Sequence, residues 1–104
     1  MESTLNISAN LRAVDTIKSE ILSEVSNLYR SLSEYNDKAG SSEVTECIAT
    51  IICMDYILAR RAGISFSEVD RKISELLKMA VEGNHEIEVE FSDMSELKKY
   101  IGSR

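Results

Sequence analysis

The chain has no proline and no tryptophan, and its 104 residues include only four glycines, two cysteines, two phenylalanines and one histidine. With no proline, nothing forbids long uninterrupted helices. His85 has no second histidine or nearby cysteine to join it, which removes the ligand set of a zinc site, and its place after Gly83 and Asn84 suits an exposed or capping role. Cys47 and Cys53 are six residues apart in one apolar run, about 9 Å along a helix. That is too far for a disulfide within the helix, so they read as reduced thiols of a cytosolic protein. Basic residues are outnumbered 12 to 18, for a net charge of -6, which argues against nucleic acid or an anionic membrane as main partner. No apolar stretch approaches a membrane span, and no basic-then-apolar leader opens the chain. Neither a Gly-x-Ser-x-Gly elbow nor a phosphate-cradling glycine loop occurs.

What is present is helical periodicity. At 43% hydrophobic residues the chain has the composition of one globular domain, residues 1-104. Leu11, Val14, Ile17, Ile21, Val25, Leu28, Leu32 and Tyr35 recur in steps of three or four, the spacing of a helix face. One long helix is expected from Leu5 or Asn10 to Tyr35. The turn residues Asn36 to Ser42 interrupt it, with Ser42 as N-cap of a second helix over 43-62. That helix is apolar all round between Cys47 and Ala59 and should be the most buried element. Arg60 and Arg61 suit its C-terminal dipole, and Gly63 suits its C-terminal stop. Ser65 with Glu68 forms a capping box for a third helix ending at Glu82. Residues 86-91, Glu-Ile-Glu-Val-Glu-Phe, alternate as a strand does. A lone strand has nothing to pair with, so helix or irregular extended structure is expected. A short last helix runs to Ile101, with Gly102 ending it.

The residues with chemical potential are acids at helical spacing. Glu20 and Glu24 share one face of the first helix, and Glu43 and Glu46 share one face of the second. A short linker makes these helices antiparallel. If the four carboxylates converge, their hard oxygens suit Mg²⁺ or Mn²⁺ and through it a polyphosphate, with a carboxylate positioned to activate water. Against convergence stands the distance of Glu24 from Tyr35, eleven residues or about 16 Å along the axis. Acids at such spacings are also common on solvated helix faces.

The segment ATIICMDYILARRAGISFSEVDRKISELL, residues 49-77, resembles the MazG-like, all-α nucleotide pyrophosphohydrolases in its buried helix, basic turn, glycine and acidic capping box. KSEILSEVSNLYRSL resembles the family's preceding helix, and NHEIEVEFSDMSELKKYI the tail of a short subgroup. The resemblance implies an antiparallel bundle of three main helices plus a short C-terminal one. It also implies a homodimer or higher homo-oligomer, to which the apolar second helix independently points. It further implies Mg²⁺-dependent cleavage of a nucleoside triphosphate to monophosphate and pyrophosphate by E-x-x-E on one helix and E-x-x-D on the next. In one register Glu20, Glu24, Glu43 and Glu46 are the metal ligands, Glu20 and Glu24 the catalytic pair, and Ser23 takes the place of the second acid. Counting back from Gly63 instead places Cys47 and Thr50 at the second pair of acids, which is the pattern of a binding or regulatory protein that has lost catalysis.

Overall fold

A computed structural model describes residues 4-34 and 41-103. Among them the chain is all-α, in the order α1 (Thr4–Ser33), α2 (Ser41–Arg61), α3 (Phe66–Glu82), α4 (Glu86–Phe91) and α5 (Asp93–Ser103). Tyr35 and residues 36-40 of the expected turn lie outside the described residues. The chain divides into two compact units, residues 1-64 and 65-104.

In the first unit α1 and α2 pack antiparallel. Asn10 near the start of α1 donates to the carbonyl of Arg61 at the end of α2, 3.1 Å. Ser31 near the end of α1 donates to Glu43 near the start of α2, 3.4 Å. Ile17 and Cys47 are buried between them, each 7% exposed. The expectation that α2 is the most buried element is not met, because α1 covers only one of its faces. Ile48, Ile52 and Ile57 remain 43%, 50% and 39% exposed. At 100° per residue, Ile48 and Ile52 lie about 100–140° round from Cys47, and Ile7, Leu11, Leu22 and Tyr29, also exposed, lie about 80–140° round from Ile17. In antiparallel helices equal rotations turn to the same side, so these six side chains share one apolar face.

The end of α2 is closed by its own backbone. The N–H groups of Ala62, Gly63 and Ile64 donate to the carbonyls of Leu58, Arg60 and Ala59 at 3.0, 3.1 and 2.9 Å. This paired closure needs a left-handed residue after the helix, and Gly63 supplies it at φ +84°. The start of α2 differs from expectation: Ser42 lies inside the helix, not before it.

In the second unit the capping box forms as expected, with the Ser65 hydroxyl accepting from the Glu68 N–H and the Glu68 carboxylate accepting from the Ser65 N–H. Leu77 is the buried apolar residue of α3. Residues 86-91 are helical. His85 caps this turn, its Nδ1 accepting from the Ile87 N–H at 3.1 Å, and Ser92 ends it at φ 60°. Local capping therefore overrides the alternation, and Glu is a good helix former in any case. From α4, Glu88 reaches the first turn of α5 and accepts from the Ser95 hydroxyl and N–H. Those two hydrogen bonds, with one from the Met94 N–H, hold its carboxyl below the ordinary range against an opposing desolvation. The last helix continues through Gly102 to Ser103 instead of ending at Gly102.

Candidate functional site: an acidic cleft between α1 and α2

Where the end of α1 meets the start of α2, an open cleft of about 270 Å³ is lined by Glu24, Asn27, Arg30, Ser31, Glu43, Glu46 and Cys47. Three of the four glutamates singled out by spacing therefore line one concavity. The 16 Å objection loses its force because α1 ends at Ser33 and Glu43 lies level with Ser31. With that register Glu46 is level with Leu28, four residues or about 6 Å from Glu24 along the axis. Glu20 is eight residues from that level, about 12 Å, and it is not among the lining residues.

One carboxylate is held in place. Arg30 donates to the Asn27 side-chain oxygen Oδ1 at 2.9 Å, and the Asn27 side-chain Nδ2 donates to Glu24 Oε1 at 2.9 Å. Asn27, Arg30 and Ser31 are the residues that sequence reasoning missed. Their only signal is placement three, six and seven residues after Glu24, on the same side of the helix. The charge balance of the cleft is read out by Cys47. Burial pushes its thiol above the ordinary value of 9.0, the carboxylates of Glu24, Glu46 and Glu43 push it further, and Arg30 opposes them. Cys47 is thus a protonated thiol at neutral pH.

The donors have the right chemistry for a hard divalent cation, but they do not assemble a cage. Among the described residues, no three histidine, cysteine, aspartate or glutamate side chains stand close enough to hold one metal ion. A resident ion held by four glutamates does not fit this arrangement. Mg²⁺ characteristically keeps its waters and takes one or two carboxylates plus substrate phosphates, and for that mode the cleft has sufficient donors.

An antiparallel helix pair with an acidic cleft at the junction, followed along the chain by a capped amphipathic helix, defines an all-α protein among the described residues. The match to a family model is to the MazG-like family, over residues 7-94, and the chain belongs to that family. No curated protein and no solved structure matches it significantly. No helix among the described residues is long and apolar enough to cross a membrane.

Proposed function

We propose that the chain is a MazG-like nucleoside triphosphate pyrophosphohydrolase of the cytosol whose substrate enters the α1–α2 cleft as its Mg²⁺ or Mn²⁺ complex. The observation that carries this reading is the gathering of Glu24, Glu43 and Glu46, from two helices, round one cleft in a chain of this family. An acidic cleft repels a bare polyphosphate; the divalent ion arriving with the phosphates neutralises that charge. Glu43 and Glu46 meet the charge of the complex at the start of α2. Glu24, oriented through Asn27 and Arg30, accepts the proton of the attacking water as its oxygen bonds to phosphorus and pyrophosphate leaves. Incubation with a panel of nucleoside triphosphates and Mg²⁺ or Mn²⁺ tests this. Pyrophosphate release that is lost in Glu24→Gln and Glu46→Gln is expected, and silence across the panel would retire the enzyme.

A second reading is favoured by one specific residue. Cys47 is buried in the cleft wall at a position where, counted from Gly63, the family pattern has an acid. A chain that binds nucleotide without cutting it would give saturable nucleotide binding and no pyrophosphate.

The apolar face shared by α1 and α2 belongs to the same proposal, as the contact between two copies of the chain. Its Leu22 and Tyr29 are 72% and 66% exposed, and contiguous apolar patches of this kind are rare on monomers. Sedimentation equilibrium of the wild type and of Leu22→Lys checks it: a dimer or higher oligomer is expected from the first and a monomer from the second.

A further inference from the structure

The one histidine of the chain caps a segment whose sequence supports two conformations. Residues 86-91 alternate acid and apolar, the pattern of a strand, yet they form α4. Packing does little to hold that helix. It has no buried residue, and Ile87, Val89 and Phe91 remain 40%, 69% and 61% exposed. It is also far shorter than the roughly 12–15 residues at which a helix begins to be stable by itself in water. Its ends therefore hold it: the His85 cap at the start, and left-handed Ser92 with the Glu88–Ser95 bonds at the finish.

Of these ties, the His85 cap is the one that a proton removes. Its Nδ1 accepts from the Ile87 N–H at 3.1 Å, and a ring nitrogen accepts only while it is unprotonated. Imidazolium has two donors and no acceptor, and it sets a positive charge against the positive end of the helix dipole. Histidine is the side chain type whose charge changes between about pH 5 and 8. The charged groups on the elements around it are Glu82 at the end of α3, Glu86 and Glu88 in the first turn of α4, and Asp93, Lys98 and Lys99 of α5. Lys98 and Lys99 line a cavity of about 360 Å³ with Val81 of α3 and Ser95. Among the described residues none of these groups forms an ion pair with the ring. The Glu88 carboxyl is held below the ordinary range by its Ser95 bonds, so that tie persists where an imidazole is already protonated.

From this geometry we infer that α4 is a pH-sensitive switch: with the His85 ring neutral its first turn is closed, and with the ring protonated that turn unwinds toward the extended form that the alternation also allows. In the extended form Ile87, Val89 and Phe91 come onto one side of the segment and the three glutamates onto the other. The Glu88–Ser95 bonds and Ser92 keep the change from spreading into α5. The switch does not depend on the acidic cleft or on whether that cleft hydrolyses anything.

Cα chemical shifts of the full ¹³C,¹⁵N-labelled chain, followed from about pH 8 to about pH 5.5 beside the His85 ring resonances, test this. In the wild type the helical shifts of Ile87, Glu88 and Val89 should fall by at least about half, in one step with the ring, while those of α1 and α2 stay fixed. His85→Asp, whose carboxylate caps across this whole range, should keep the helical shifts at every pH. His85→Ala, which has no acceptor, should lack them already at the high-pH end. The inference is overturned if the wild-type shifts stay helical while the ring titrates, if His85→Asp shows the same step, or if His85→Ala keeps α4 at high pH. Should a variant fail to fold, the coincidence or separation of the wild-type ring and backbone steps decides alone.

Discussion

The two ends of the α1–α2 pair are built from the same two helices and carry opposite charge. At one end Glu24, Glu43 and Glu46 face a single arginine; at the other Arg60 and Arg61 face two asparagines. At the Gly63 end the helix carbonyls are closed by main-chain and Asn10 donors. At the Glu43 end a side chain of α1 bonds directly to a carboxylate of α2, so Glu43 takes part in holding the helices in register.

The comparison can be broken most sharply at the acidic end. Glu43→Gln/Glu46→Gln should lower pyrophosphate release at least about 100-fold. Glu20→Gln, a farther 6 Å or so along the axis than Glu24, should cost far less; equal losses from the two variants would restore Glu20 to the site. Ile17 of α1 is buried at 7% exposure. Ile17→Ala should cost about 2–4 kcal/mol in chemical denaturation; a loss under about 1 kcal/mol would mean that this contact does little to hold the first unit together.

Thiol chemistry sharpens the electrostatic half of the comparison. The Cys47 thiol is raised by burial and by three carboxylates, while Cys53 is exposed. A raised folded-state value favours the protonated form, so the associated stability is full below the unfolded value and is lost as pH rises through the folded one. Near pH 8 a disulfide reagent should therefore label Cys53 at least about 10-fold faster than Cys47, and Glu46→Gln should narrow the gap. The smallest effect belongs to the basic end. A Cβ at Gly63 meets nothing within 4 Å, so Gly63→Ala should cost only the left-handed backbone, about 1 kcal/mol in thermal or chemical denaturation.

Helix periodicity, the Ser65–Glu68 box and the glycine stop after α2 were legible because each is local, set by residues within a few positions of one another. The segment at 86-91 was ambiguous because period-two alternation and helix capping compete over six residues, and His85 and Ser92, outside the alternation, settle it. The acid triad was legible by type, since Glu24, Glu43 and Glu46 stand out by spacing, but not by register. The level of Glu43 against Ser31 depends on where α1 ends. Glu20 fell outside for the same reason. Asn27 and Arg30 were invisible because a hydrogen-bonded brace on a carboxylate has no sequence signature beyond its helical spacing. The cavity at Asn6 and Asn10 was hidden because its lining comes from two segments about fifty positions apart, brought together only by antiparallel packing. The exposure of Ile48 and Ile52 was missed because apolar residues all round a helix state that it needs cover, not which chain supplies the cover.

The most direct test of the acidic cleft is calorimetric titration with Mg²⁺, first alone and then with a non-hydrolysable nucleoside triphosphate analogue. Carboxylates that line a cleft without forming a cage should give no saturable binding of Mg²⁺ alone below about 1 mM, and saturable binding of the nucleotide only when Mg²⁺ is present. Tight Mg²⁺ binding without nucleotide would contradict the open arrangement of Glu24, Glu43 and Glu46, and nucleotide binding indifferent to Mg²⁺ would contradict their role in receiving it.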